Sequence, residues 1–202
     1  QVSVFSGFNQ AKDISMDSRF DALCGITEQE LHDYFDEELD QLASKYDCPK
    51  ETLCEMFKKR YDGYHFSEQM LDVYNPFSVL NALDSMRLDD FWFSSGTPPY
   101  LVKLLHRSQT DMQKILGRTY AKKYFVDYKA DKEEPLPMLY QSGYLTIKET
   151  RLQDDFTKRY RLDYPNAEVK RGFVTLLANS YFSSNEDAGN RGTSFKENIS
   201  GT

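Results

Sequence analysis

Apolar positions recur every three or four residues through the first two-thirds of the chain and alternate only near its end, which predicts packed helices followed by a small β unit. Leu31, Tyr34, Phe35, Leu39, Leu42, Ala43 and Tyr46 form one such stripe. Its start is set at Thr27: Thr27 and Glu30 make a capping box, and Ile26 and Leu31 occupy the flanking staple positions. Glu28, Asp33, Asp36, Glu37 and Asp40 then fall mostly on the solvated face. Three more helix starts pair a capping residue with proline at the first helical position, where the missing N–H costs nothing: Cys48-Pro49, Asn75-Pro76 and Thr97-Pro98. They lead into Leu53, Phe57 and Tyr61, stopped by a left-handed Gly63; into Val79, Leu80, Leu83 and Met86; and into Leu101, Leu104 and Leu105.

After Gly117 the pattern changes. Residues 123–128 read as a short strand, and Pro135 opens a helix carrying Leu139 and Tyr140 that Gly143 ends. Residues 144–147 and 160–162 alternate like strands across a charged connection, and Asn166 caps a last helix with Val169, Phe173, Leu176 and Leu177 inward. The expected fold is therefore mostly α with a small β component. A helical bundle is followed by a helix–hairpin–helix module with the outline of a winged helix, and a polar linker covers 183–202.

The chain has 202 residues, 40% hydrophobic and 28% charged, enough for one globular domain or two small ones. With 25 Lys+Arg against 32 Asp+Glu the net charge is −7, so the whole is no polybasic binder, which leaves that role open only to a local patch. The longest apolar run, 172–178, is far too short to cross a bilayer, and no membrane partner is expected. Cys24, Cys48 and Cys54 make neither an even set nor a Cys-x-x-Cys pair, which argues for a reducing, cytoplasmic setting and against a structural zinc site. Beginning at Gln1 and ending in polar sequence, the chain reads as a piece of a longer protein.

Most catalytic signatures are missing. No Gly is followed by Lys, so the loop that cradles phosphate with backbone N–H groups and a lysine is absent, as is a nucleophile elbow. His32, His65 and His106 stand apart from one another and from the cysteines and read as satisfied or exposed, and no metal ligand is expected. Asp127-Tyr128-Lys129 and Glu168-Val169-Lys170 each match the short half of a metal-dependent nuclease motif, but both read as solvated edge charges. Two basic stretches remain. One holds Lys103, Arg107, Lys114, Arg118, Lys122 and Lys123 against Asp111 alone. The other, around the hairpin, holds Lys148, Arg151, Lys158, Arg159, Arg161, Lys170 and Arg171; because Glu149, Asp154 and Asp155 are interleaved it reads first as an ordinary salt-bridged surface and second, through all of these but Lys148, as a candidate DNA surface. The aromatic clusters at 61–66, 74–77 and 91–93 read first as packing anchors and second as a ligand pocket.

Ordered segments carry a resemblance. The run 4–9 with Asn9, then Asp13-Ile14-Ser15, Leu23-Cys24-Gly25-Ile26-Thr27, Tyr61-Asp62-Gly63-Tyr64, Asn75-Pro76-Phe77, Trp92-Phe93, Gly96-Thr97-Pro98 and the Gly143-centred run 140–147 resemble the predicted AAA-ATPase-like proteins common in Bacteroidetes. In that family a P-loop ATPase core comes first and a PD-(D/E)XK nuclease-like domain follows. The resemblance implies that residues 1–14 are the trailing edge of the core, 15–117 a helical lid, 118–182 the winged-helix-like module and 183–202 the linker onward. It further implies that ATP and Mg²⁺ serve the parent protein and not this chain. The partners implied are the core, the nuclease-like domain and DNA held weakly and without sequence preference. A non-catalytic DNA- or protein-binding module is the alternative.

Overall fold

The structure is a computed structural model that describes residues 14–95, 101, 103–105, 112–126 and 134–178. Asn9, Asp13, Gly96, Thr97, Pro98, His106 and Asp127-Tyr128-Lys129 lie outside the described residues, and so does the helix start expected at Thr97.

Helix α1 (Glu28–Lys45) begins as its capping box requires. The Glu30 amide donates to Thr27 Oγ1 at 3.2 Å, and the Thr27 amide to Glu30 Oε2 at 2.9 Å. Leu31, Leu39, Leu42 and Ala43 are buried, but the backbone leaves the helical region at Phe35 (φ −130°, ψ 20°). Tyr34, expected inward, is 73% exposed. Helix α2 (Lys50–Tyr61) starts one residue later than expected, with Pro49 at the cap in an extended conformation (ψ 145°) and not in the first turn. Helix α3 (Pro76–Asp84) does carry proline in its first turn, and Asn75 Oδ1 accepts from the Phe77 and Ser78 amides. Val79, Ala82 and Leu83 fill its inward stripe, which leaves Leu80 and Phe77 on the outer face, against the inward expectation for Leu80. These helices share a first core of Leu31, Leu39, Leu53, Phe57, Tyr61, Tyr74 and Phe91, with Phe57 edge-on to Tyr61 at 4.9 Å.

The second core gathers the rest. Helical residues 101 and 103–105 come first, then the short α4 (Met112–Ile115), β1 (Thr119–Tyr120), a 3₁₀ turn (Lys122–Tyr124), α5 (Pro135–Gln141), β2 (Thr146–Leu152), β3 (Lys158–Asp163) and α6 at 167–178. The strands form one antiparallel sheet in the order β1-β3-β2, with Tyr120 opposite Tyr160 and Ile147 opposite Leu162. Helix, hairpin and helix all appear where expected, with Gly143 (φ 77°) ending α5 and Asn166 Oδ1 accepting from the Val169 amide to cap α6.

Two further expectations are corrected. The strand expected at 123–128 lies earlier, at β1, and Lys122–Tyr124 is a 3₁₀ turn that drives Phe125 into the core against Tyr140 and Tyr160. Most of the charged connection 148–159 is strand, turning only at 153–157. Beyond the core its ladder is held by backbone pairing and ion pairs, so polar residues on both faces hide it from a hydrophobic pattern.

Gly63 is where the first helical unit meets the hairpin. Its φ of 94° suits glycine, and a Cβ there would sit 2.5 Å from the Pro165 carbonyl and 2.8 Å from Lys148 Nζ. Gly117 (φ 76°) has nothing within 4 Å of the same added atom. Gly63→Ala is expected to cost several kcal/mol where Gly117→Ala costs only the ~1–2 kcal/mol of a left-handed alanine. Paired chemical denaturation curves check this, and equal losses would contradict the close approach at Gly63.

Candidate functional site

The polar chemistry of the molecule is concentrated along the seam between the two cores. Glu168, in the first turn of α6, is fully buried. The Ser78 hydroxyl of α3 donates to its Oε2 at 2.7 Å, and the Trp92 amide donates to its Oε1 at 2.8 Å. One carboxylate thus ties the last helix to α3 and to the aromatic turn between the units. Burial raises its pKa, opposed by the Trp92 amide, the Ser78 hydroxyl and the Phe91 amide. A turn along, Gly172 lets the Phe93 ring lie where any Cβ would intrude at 1.9 Å. Trp92 is half-buried, packed edge-on to Phe93 at 5.0 Å and to Tyr144 at 4.9 Å.

The seam continues on both sides. Asp90 accepts from Arg60 of α2 at 2.9 Å and from both arms of Arg171 of α6, at 2.9 and 2.6 Å. Lys148 of β2 donates to the Gly63 carbonyl at 2.6 Å and to the Pro165 carbonyl at 2.9 Å; its burial lowers the ammonium pKa, against the pull of Asp72, Asp62 and Asp163. Asp62 is buried with Lys58 Nζ 3.3 Å away, and burial raises its pKa. His65 is buried with Nδ1 2.7 Å from the Ile147 carbonyl and Nε2 2.6 Å from Asp72, while Thr146 Oγ1 takes the His65 amide and returns a bond to its carbonyl. Apart from Asp62, whose buried carboxylate oxygens accept no hydrogen bond among the described residues, these arrangements satisfy buried groups and fix neighbours. Nothing among them places a nucleophile beside a base in an open cleft.

The aromatic and turn residues behave as anchors. Tyr61, Tyr64 and Tyr74 are buried, and the Tyr61 hydroxyl donates to the Asp89 carbonyl at 2.8 Å. Phe77 is the exception, on the surface.

The six basic residues read as a DNA surface are largely engaged. Arg151 pairs with Glu149 at 2.5 Å, Arg161 with Glu149 at 3.1 Å and Asp163 at 3.2 Å, Arg171 with Asp90, and Lys158 with Glu68. Arg159 is half-buried opposite Arg151, and Lys170 is exposed beside an open cleft of about 710 Å³ under Phe93. Among the described residues no three His, Cys, Asp or Glu side chains are placed to hold a metal ion. No helix described is long and apolar enough to cross a membrane.

Glu168 is the residue that sequence reasoning missed, since a Glu-x-Lys pattern at a helix start looks like a solvated edge. Its one signal was Gly172, a glycine inside a helix four residues on, which marks a close approach.

A protein of Azotobacter chroococcum mcd 1 described as an uncharacterized protein in the vnfD 5′ region is 34% identical over 183 residues. These cover 90% of this chain and 33% of that protein, so the chain spans about a third of the length of the curated relative it matches. No family model matches the chain, and no solved structure matches it.

A carboxyl whose pKa is raised by folding binds its proton more tightly in the native state, so its contribution to stability is present below its unfolded value near 4.5 and is lost as pH rises through the folded value. Glu168→Gln keeps an acceptor for the Trp92 amide and removes that loss. Its stability relative to the parent chain is therefore expected to improve steadily from pH 4.5 upward, whereas Glu168→Ala costs about 3 kcal/mol by orphaning the donors. Denaturant titrations followed by the fluorescence of the single tryptophan check both; a Gln variant whose relative stability is flat with pH would contradict the buried carboxylate.

Proposed function

We propose that this chain is the lid and winged-helix region of a longer P-loop ATPase bearing a PD-(D/E)XK nuclease-like domain, and that it couples ATP hydrolysis to DNA processing as one rigid block. The observation that carries the reading is the Glu168 clasp. A lid transmits motion only if its parts move together, and here a single buried acceptor holds α3, the Trp92 turn and α6. The ordered resemblance of the segments at 23–27, 61–64, 74–77 and 140–147 supplies the ATPase context, and the threefold greater length of the relative leaves room for a core and a further domain. ATP and Mg²⁺ belong to that core, and the block itself turns over nothing.

A second reading, a non-catalytic protein-binding module, is favoured by the hairpin tip. Phe156 is 83% exposed and held at φ 60°, a conformation costly for a bulky side chain and suited to presenting an aromatic anchor.

Phosphate release separates the two. This chain alone is expected to release none above a blank, and the full-length protein to hydrolyse ATP with a DNA-dependent rate that Glu168→Ala abolishes while basal turnover persists. Absence of turnover in the full-length protein would overturn the coupling reading and leave the binding module.

A further inference from the structure

The cations that are not locked into the hairpin lie elsewhere. Between α4, β1, the 3₁₀ turn and the start of α5 is a cleft of about 370 Å³ lined by Lys114, Arg118, Tyr120, Tyr124 and Glu134. Arg118 and Lys123 are exposed, and neither has a carboxylate within ion-pair distance among the described residues, in contrast to Arg151, Lys158, Arg161 and Arg171. Two rings are presented with different freedom. Tyr120 is fixed by donating its hydroxyl to the Ile115 carbonyl at 2.9 Å. Tyr124 is 50% exposed because its neighbour Phe125 is fully buried and turns it outward, and Lys123 Nζ stands 5.2 Å from its ring centroid.

We propose that this cleft takes one nucleotide unit of a single-stranded nucleic acid, with Arg118 and Lys123 on the phosphates, the Tyr124 ring stacked on the base, and Glu134 accepting from a base amine or sugar hydroxyl. The chemistry selects a strand over a duplex. A ring can stack only on a base that is out of its own stack, and open cations beside an exposed aromatic are what unpaired strands use. The helix that would have to enter a major groove is unsuited to it: α5, Pro-Leu-Pro-Met-Leu-Tyr-Gln, has no cation, and Leu136, Pro137 and Leu139 are buried. The hairpin that would accompany it holds Arg151, Lys158 and Arg161 in ion pairs with Glu149, Glu68 and Asp163, and its Arg159 is half-buried. The inference goes beyond the coupling role and does not rest on it, since binding is read without ATP.

The test is fluorescence anisotropy of a labelled dT oligomer of about 12 nucleotides at low salt, with the whole chain. Binding is expected, weakening with salt at a log–log slope near −1.4 for about two phosphates on a single strand. Arg118→Glu and Tyr124→Ala should each weaken it roughly tenfold, and Tyr124→Phe and the hairpin variant Arg151→Glu should change it less than about twofold. All three positions are exposed, and circular dichroism confirms that each of the four variants is folded. No saturable binding would overturn the proposal, as would equal loss in Arg151→Glu, tighter binding of a duplex of the same length, or thymidine monophosphate competing as well as the oligomer per nucleotide, which would mark a free-nucleotide site.

Discussion

A carboxylate without access to water must be given hydrogen bonds or it will not stay charged or stay in place. Glu168 obtains them from two separate parts of the chain, Ser78 at the start of α3 and the backbone of Trp92. Because the donors are 90 and 76 residues away in sequence, the bond network sets tertiary position and not merely local shape. It seats α6 on the helical unit, and that seat brings Arg171 to Asp90 and the Gly172 backbone against Phe93. Lys148 and His65 add a second line of attachment, from the hairpin strand to the Gly63 turn, so the two apolar cores are joined by hydrogen-bonded polar groups.

Much of this was legible in the residues wherever a local rule governs. The Thr27 capping box, the Asn75-Pro76 start and the Gly63 and Gly143 stops are decided within a few residues by backbone hydrogen bonding and steric freedom, and each is where the pattern puts it. What the pattern could not deliver depends on partners far along the chain. Tyr34 leaves the apolar stripe because the helix kinks at Phe35. The two-residue β1 is a strand only because β3 runs beside it. Glu168 has the sequence context of a surface acid, and only the arrival of Ser78 and Trp92 makes it interior. The candidate site was legible in part. The aromatic turns were recognised as anchors, and the salt-bridge mixing of the basic hairpin was anticipated from its interleaved acids, but Glu68, the partner of Lys158, lies on a distant stretch of chain.

Surface and seam therefore divide the work. Buried polar groups are spent on making one body, while exposed character survives at the Tyr124 cleft and at the Phe156 tip, on elements that the second core holds from beneath through Phe125 and Tyr160. The proposed coupling role asks for such a body, since displacement at one face must reach the other with little lost in between.

That rigidity is open to direct measurement by native-state hydrogen exchange across a denaturant series. The slowest amides of α2, at Leu53 and Phe57, and of β3, at Tyr160 and Leu162, should converge on one opening free energy, because the clasp makes the cores a single cooperative unit. Persistent separation, with the helical unit opening well below the free energy of the sheet, would show that the cores unfold independently and that the Glu168 seam does not bind them together.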